Sequence, residues 1–327
     1  MSKVAVTENR PVQLEATLTP DARKAIHALE WALDRARHAT GDEVVAGEII
    51  SASKEDFRAA CDKYLLDTRS RLDELLMSND AEAGLDALLA SGALAALLPE
   101  VEAMVGFGDG EWRHKDVWKH TKQVVRQAVP RLEIRWSALL HDIGKVRTRS
   151  ISPSGEVHFF GHAEVGARMF DKMNRRVGLF RDEAALSSTV RFLILHHLRA
   201  SQYDATWTES AVRRFAKEMG PLLPDLLCLS RADITTKRPE KKKKGLRQIS
   251  ELEARVREVV TQDAVVPPLP GGIGDAMMRA FALPPSRLIG ELKRKLEECI
   301  EEEKIVPHQD ADFYIAFMRE NRELFGL

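Results

Sequence analysis

Histidines and acids of the types that bind metals recur through the middle of the chain. They are His120, the dipeptide His141-Asp142, His162, the dipeptide His196-His197 and Asp233. Imidazole nitrogen together with carboxylate oxygen suits Mn, Fe, Ni, Co or Zn better than calcium, which prefers oxygen ligands alone. Burying ionisable groups in apolar helices costs free energy unless the groups are paired, and a shared cation would pair them. The pattern predicts a site for one or two divalent transition-metal ions.

The segments that carry these residues have helical patterns. Trp136–Lys145 (WSALLHDIGK) predicts an apolar helix with His141 and Asp142 at its end, and we expect Gly144 to let the chain turn away there. Neighbouring residues on a helix point about 100° apart, so this pair can reach one ion only from a helix end or a crossing. The apolar spacing around His120 places that residue near the buried face of its own helix.

Helical periodicity extends over most of the chain. Helices are predicted from Thr19-Pro20-Asp21 onwards and over 54–78, 82–98, 287–303 and 311–324, with one short hairpin within 152–160. The predicted fold class is all-α, a helical bundle with an N-terminal helical domain and a small C-terminal helical cap. The predicted boundaries are a flexible N-terminus at 1–18, the N-terminal domain at 19–110, the histidine-rich domain at 111–262 and the cap at 263–327.

Composition excludes several classes of protein. The 327 residues are 44% hydrophobic and 30% charged, a composition that predicts folded domains. The net charge of −1 does not indicate a charged partner. Three scattered cysteines argue against a disulfide scaffold. The N-terminus lacks a signal-peptide core, and Ser91, Gly92 and Pro99 interrupt the most apolar stretch. We expect a soluble cytoplasmic protein without a membrane partner; the oligomeric state stays open.

The order of His120, His141-Asp142 and Asp233 resembles the metal-binding set of the HD superfamily of metal-dependent phosphohydrolases. Further segments look like those of the bacterial tRNA nucleotidyltransferases, the CCA-adding enzymes. These segments are SGALAALLPE, HKDVWKHT, ALLHDIGK, FGHAEVGARM, HLRA, SAVRRF, RADITTKRPEK and LPPSRLIGELK, in collinear order over roughly residues 70–327. The resemblance implies the all-α HD fold and an enzyme of RNA or nucleotide phosphate chemistry.

The N-terminal residues depart from that resemblance. CCA-adding enzymes begin with a nucleotidyltransferase head that needs a glycine-rich strand-turn and nearby paired carboxylates. Residues 1–83 contain only two isolated glycines, Gly41 and Gly47, and their pattern predicts helices. We therefore do not expect this chain to add CCA.

The resemblance also implies a role for each candidate ligand. His120, His141, Asp142 and Asp233 would bind a first ion, and Asp142 could bridge to a second ion bound by His162 and one of the two adjacent histidines. His197 is favoured over His196, because the related enzymes carry a single histidine before Leu-Arg. Asp142 would orient or deprotonate a water whose pKa the metal lowers.

Several basic residues are candidates for substrate contact. Lys145 follows the His141-Asp142 pair by one turn and could touch a phosphate, although a solvated lysine at a helix end is the plain alternative. Arg149 and Arg199 are weaker candidates, since either could form an ordinary surface pair. The basic run 237–247, which includes Lys237 and Arg238, is either a solvated helix face or a patch for a polyanion. It contains no aromatic residue, so it does not indicate base stacking.

The sequence thus predicts a metal-dependent phosphohydrolase acting on nucleotide or RNA-end phosphates, such as 2′,3′-cyclic or 2′-phosphates. One alternative is a non-catalytic RNA- or tRNA-binding remnant of a nucleotidyltransferase. Another is a hydrolase of a signalling nucleotide, ranked lower because the neighbouring segments resemble the tRNA-processing group. The natural substrate and the metal are not determined by the sequence.

Overall fold

A computed structural model describes residues 18–38, 48–107, 116–264 and 267–327. The predicted all-α class is confirmed, since these residues are mainly helical and contain one pair of very short strands. The helices are α1 (Pro20–His38), α2 (Lys54–Met77), α3 (Ala81–Ala90), α4 (Ala93–Leu97), α5 (Pro99–Glu102), α6 (Val117–Gln127), α7 (Leu132–Leu140), α8 (Lys145–Thr148), α9 (His162–Val177), α10 (Ala184–His196), α11 (Glu209–Met219), α12 (Leu223–Ala232), α13 (Pro239–Ala264), α14 (Ile273–Phe281), α15 (Arg287–Glu301), α16 (Ala311–Glu320) and α17 (Arg322–Phe325).

The chain divides into two compact units, Met1–Arg257 and Glu258–Leu327. The finer boundaries predicted from the sequence stay predictions. The segment predicted to be flexible, 1–18, lies outside the described residues except for Leu18, and so does the predicted boundary at residue 110. In the described parts of the chain no helix is long and apolar enough to cross a membrane.

The first helices pack into a layer in which α1 lies against α2 and α3. Helix α1 begins at Pro20, as the sequence predicts, and buries Ile26, Leu29 and Leu33 at helical spacing. Ser53 caps α2 by accepting a hydrogen bond from the backbone of Asp56, whose carboxylate accepts one from the backbone of Ser53. The described residues before 108 contain no strand, which agrees with the helical pattern predicted there.

The single helix predicted over 82–98 is wrong. Helix α3 ends at Ala90, and α4 begins at Ala93. Gly92 between them has a φ of 83°, a left-handed conformation that residues with a Cβ rarely adopt. The apolar run therefore contains a turn at Gly92 that ends α3. Glycine adopts the left-handed conformation of this turn without steric cost.

Helix α7 is the buried centre of the histidine-rich region. Each residue from Ile134 to Leu140 is buried, and α7 packs against α6, α10 and α12. The indole Nε1 of Trp136 donates to Oδ1 of Asp73 at 2.6 Å, and Nη1 of Arg135 donates to the carbonyl of Leu76 at 2.8 Å. These bonds tie α7 to α2 and satisfy polar groups that burial would otherwise leave unpaired. The end of α7 thus delivers the His141-Asp142 dipeptide into the interior.

The predicted hairpin and the two helices predicted over 287–303 and 311–324, which are α15 and α16, are present with shifted bounds. The hairpin consists of β1 (Ser150–Ile151) and β2 (Val157–His158), antiparallel, with Ser150 opposite His158. In the second unit, α14, α15 and α16 pack around a core that includes Leu296, Met277 and Tyr314. The Tyr314 hydroxyl lies 3.0 Å from the Pro268 carbonyl, so the buried phenol has a polar partner.

Candidate metal centre

Three ligand-type side chains form what we call the outer group: His120, His141 and Asp233. One potential ligand atom from each lies within 4.8 Å of the others. Nε2 of His120 is 3.0 Å from Oδ1 of Asp233, and Nε2 of His141 is 3.6 Å from the same oxygen. His120 comes from α6, His141 follows α7 and Asp233 follows α12. Three elements, spread over more than a hundred positions, therefore meet at one point.

A second set, the inner group, consists of Asp142, His162 and His197. Their potential ligand atoms also lie within 4.8 Å of one another. Nε2 of His162 is 3.1 Å from Nε2 of His197, and these nitrogens are 3.5 and 3.9 Å from Oδ1 of Asp142. His162 opens α9 and His197 follows α10. All three side chains are buried, whereas His120 and Asp233 of the outer group are partly exposed.

Asp142 lies between the two groups. Its Oδ2 is 3.4 Å from Nε2 of His120 and 3.2 Å from Nε2 of His141, while its Oδ1 faces the inner group. Oδ1 is buried and receives no hydrogen bond from the described residues. A buried carboxylate oxygen without a donor is costly unless a cation satisfies it. The geometry therefore fits the predicted bridging carboxylate.

The imidazole rings are oriented by backbone carbonyls. Nδ1 of His141, His162 and His197 lies 2.8, 2.8 and 2.7 Å from the carbonyl of the residue three positions earlier. When such a ring is neutral, the Nδ1–H that donates to the carbonyl leaves the lone pair on Nε2. In the inner group two such lone pairs converge at 3.1 Å and would repel each other unless a cation lay between them. This donor set fits a transition metal bound by nitrogen and carboxylate oxygen.

Gly144 serves a different purpose from the one predicted. Its φ of −67° is ordinary helical backbone, so the turn after Asp142 does not need a glycine. A Cβ at this position would lie 2.0 Å from the carbonyl oxygen of His162 and 2.7 Å from the backbone nitrogen of Gly166. The missing side chain lets α9 approach closely enough to bring His162 beside Asp142.

The outer group holds its histidines near negative charge. Burial lowers the pKa of His141, but Asp142 and Asp233 outweigh burial and raise that pKa to about 10. The pKa of His120 is also raised, because hydrogen bonds to Asp142 and Asp233 outweigh its desolvation. The pKa of Asp142 lies well below its usual range, since the charge of His141 and hydrogen bonds from both histidines outweigh its burial. The two carboxylates thus favour positive charge at this point, which a proton or a metal can supply.

The inner histidines are shifted in the opposite direction. Burial, helped by the charge of His141, lowers the pKa of His197 to about 4. Burial also lowers the pKa of His162. Both rings are therefore neutral near pH 7, which is the form that binds a metal.

The other predicted site residues lie at varying distances from this centre. Nζ of Lys145 is 2.6 Å from Oδ2 of Asp142, so Lys145 does lie at the site. His196 is in neither group; its ring contacts Phe192, with centroids 4.4 Å apart. Arg199 pairs with Glu218 at 2.6 Å. The last three candidates, Arg149, Lys237 and Arg238, are exposed.

Two features of the centre had no counterpart in the sequence reasoning. Oγ1 of Thr235 lies 2.9 Å from Nδ1 of His120, so a residue 115 positions away orients that ring. A cavity of about 210 Å³ adjoins both groups, lined in part by His197, Ser230, Asp233 and Gln248. The position of Thr235 two residues after Asp233 was the only available signal for the first feature, and nothing in the sequence marks the second.

Comparisons with known proteins agree with this geometry. Residues 117–237 match the HD domain family. The chain is 33% identical over 239 residues to the A-adding tRNA nucleotidyltransferase of Deinococcus radiodurans, covering 71% of this chain and 53% of the relative. It is 31% identical over 264 residues to the CC-adding tRNA nucleotidyltransferase of Thermus thermophilus, covering 78% and 57%, and 29% identical over 202 residues to the Multifunctional CCA protein of Ectopseudomonas mendocina, covering 59% and 48%.

The predicted resemblance to HD-domain proteins and to tRNA nucleotidyltransferases is therefore confirmed as homology. The chain spans about half the length of the curated relatives it matches. At the level of the family, the HD domain supports metal-dependent phosphohydrolase chemistry.

Proposed function

We propose that the HD domain at residues 117–237 hydrolyses nucleotide or RNA-end phosphates, such as 2′,3′-cyclic or 2′-phosphates, with a divalent metal. The observation that carries this proposal is the convergence of the outer and inner groups on the two oxygens of Asp142. The tRNA enzymes among the relatives support RNA ends as the substrate class.

The chain supplies a complete set of ligands for this chemistry. The outer group with Asp142 would hold one ion, and the inner group would hold a second. A bound Mn, Fe, Ni, Co or Zn ion supplies positive charge for phosphoryl oxygens and a more acidic water. The backbone carbonyls that fix His141, His162 and His197 keep each Nε2 directed at the centre without rearrangement.

Asp142 and Lys145 are the groups best placed to act on the substrate. Asp142 has its acceptor oxygens at the centre of both groups, where it can accept a hydrogen bond from the attacking water. Nζ of Lys145 already donates to Asp142, so a small rotation of this half-buried side chain would let it donate to a phosphate oxygen as well.

The cavity beside the centre gives room for part of the substrate. Its volume of about 210 Å³ is below the range of about 300–1,000 Å³ that encloses drug-sized ligands. We infer that it takes a sugar-sized group next to the phosphate, and that longer RNA lies outside it. Ser230 and Gln248 are polar side chains in its wall.

Exposed cations favour a polyanionic substrate and also support the second candidate, non-catalytic RNA binding. Lys237 and Arg238 are exposed just after Asp233, and Lys241, Lys243 and Lys244 are exposed at the start of α13. Such a patch would bind a phosphate backbone with an affinity that falls as salt rises. Under the first proposal, the patch holds RNA while the metal centre acts on its end.

The test uses the purified full chain with a panel of phosphate esters that includes an aryl phosphate and 2′,3′-cyclic nucleotides, with added Mn, Ni or Co. We expect turnover in the wild type and its loss in Asp142→Ala and His141→Ala, together with a lower metal content by elemental analysis. His196→Ala is the matched control, because His196 is adjacent to His197 but belongs to neither group.

The outcomes separate the two candidate functions. Activity that persists in both ligand variants would exclude this centre as the catalyst. A salt-dependent RNA shift that survives the ligand substitutions, with no turnover on any ester, would favour the non-catalytic RNA-binding protein.

A further inference from the structure

The turn that leads into α9 carries an aromatic side chain which the fold leaves in solvent. Phe160 is 77% exposed, the highest value for a large apolar side chain in the described parts of the chain. Burying an apolar ring stabilises a fold, and the neighbouring Phe159 is partly buried, whereas the ring of Phe160 is not.

The ring of Phe160 is held in place from one side. It stacks on the imidazole of His158, with centroids 4.9 Å apart and an angle of 14° between the planes. His158 is itself fixed in β2, opposite Ser150 of β1. One face of Phe160 is therefore covered by His158, and a flat apolar surface remains accessible.

This surface lies close to the metal centre along the chain, since Phe160 precedes His162 of the inner group by two residues. Gly161, with a φ of 71°, turns the chain between Phe160 and His162 of the inner group. The neighbouring ring of Phe159 lies 5.8 Å from Nζ of Lys145, which contacts Asp142. The two chain neighbours of Phe160 thus link it to the centre, Phe159 through Lys145 and Gly161 through His162.

Exposed charges of both signs adjoin the hairpin, and Oε2 of Glu156 lies 3.9 Å from Nε2 of His158. Arg149 is exposed and immediately precedes Ser150, the residue paired with His158. A ring free to stack, in a hairpin preceded by an exposed arginine, combines base stacking with phosphate binding, which is the chemistry that recognises a nucleotide. The basic run 237–247 offers charge without aromatic residues, so it provides no stacking ring of its own.

We propose that Phe160, backed by His158, is a stacking platform for a nucleobase of the substrate. This inference rests on the proposed function, since it assigns the base next to the phosphate that the metal centre acts on. It makes the enzyme selective for nucleotides over phosphate esters that have no aromatic group.

The experiment measures binding in EDTA, so that it does not depend on turnover. The nucleotide 2-aminopurine riboside 5′-monophosphate, whose fluorescence is quenched by stacking, is titrated into the full chain. We expect saturable quenching in the wild type and about fivefold or more weaker binding in Phe160→Leu, because stacking is worth about 1–3 kcal/mol per base. Phe160→Trp should restore binding to within about twofold of the wild type.

Ile151→Ala is the matched control, because Ile151 is an exposed apolar residue of the same hairpin, at 59% exposure. It should bind the nucleotide like the wild type. A Phe160→Leu variant that binds as tightly as the wild type would overturn the platform, and so would a wild type without saturable quenching. Circular dichroism of each variant confirms that a loss of binding is not a loss of fold.

A parallel assay separates this inference from the proposed function. Hydrolysis of β-glycerophosphate, which has no aromatic group, is measured in the wild type with added Mn. Absence of hydrolysis of any ester with normal, Phe160-dependent quenching would reject the hydrolase and keep the platform. Hydrolysis with quenching that ignores Phe160→Leu would do the reverse.

Discussion

The outer and inner groups use the same residue types but place them in different surroundings. The inner group is buried, and both of its histidines are oriented by the carbonyl of the residue three positions earlier in the chain. In the outer group, His120 depends on Thr235 from a distant segment, and 22% of its side chain remains exposed. Protonation follows the same division, since histidine pKa values are lowered in the inner group and raised in the outer one.

This difference shows how one dipeptide can serve two sites. His141 belongs to the outer group and Asp142 to the inner group, because neighbouring residues at a helix end point in different directions. The inner group is buried throughout, whereas His120 and Asp233 leave the outer group partly exposed. We therefore expect ligands and substrate to exchange at the outer group first.

The largest effect on stability should follow from adding a side chain at Gly144, where the backbone of α9 approaches most closely. In Gly144→Ala the new Cβ would meet the backbone of His162 and Gly166, neither of which can move without shifting α9. We expect the free energy of unfolding to fall by about 3 kcal/mol or more. All five tryptophans lie at or before position 207, so tryptophan fluorescence in urea reports on the first unit.

The matched control for that substitution is Gly245→Ala. There the nearest contact is the tip of the Ile234 side chain, at 3.1 Å, which can move aside. We expect a change within about 1 kcal/mol in this helical position. Equal losses of stability in the two variants would show that close backbone packing does not position His162.

The next effect concerns pH in the protein without metal. In the unfolded state His197 binds a proton below about pH 6.5. In the folded state its pKa is about 4, so the ring stays neutral over most of this range. The free energy of unfolding should therefore decrease as pH falls from about 6.5 to 4, by on the order of 3 kcal/mol from this residue. Urea unfolding in EDTA across this range measures the decrease.

His197→Asn isolates that contribution, because carboxylates also titrate near pH 4. The variant should show a shallower decrease than the wild type. His141 should not contribute in this range, since its raised pKa of about 10 means that it is protonated in the folded and largely in the unfolded state at acidic pH. Identical pH profiles for the variant and the wild type would contradict the lowered pKa of His197, and with it the difference in histidine pKa between the inner and outer groups.

The smallest effect should come from the support of the outer group. Thr235→Val removes the hydroxyl next to Nδ1 of His120 and keeps the side-chain shape. We expect about tenfold weaker metal binding at the outer group, the lower end of what such supporting contacts contribute. Titration of the EDTA-treated protein with Mn measures it.

Thr236→Val provides the control, because the Thr236 hydroxyl accepts a hydrogen bond from the backbone of Arg238 and not from a histidine. Its metal affinity should equal that of the wild type. If Thr235→Val also binds metal normally, the outer group does not need its long-range support.

The amino-acid sequence was sufficient to predict the helical fold class, to identify the ligand-type residues and to indicate the family that the chain resembles. Helical periodicity and the order of His120, His141-Asp142 and Asp233 are properties of the chain itself. Sequence reasoning also favoured His197 over His196, and the structure places only His197 in the centre. It failed at Gly92, where an apolar run concealed a left-handed turn.

Only the tertiary structure determined how the residues divide into two groups. That division depends on distances between elements far apart in the chain, such as the approach of α9 to Gly144 and of Thr235 to His120. The tertiary structure also revealed that Phe160 is exposed, which its apolar character alone would not suggest. Periodicity reports which face of an element is buried, whereas the meeting of faces is set by packing between elements, and packing has no local signature in the sequence.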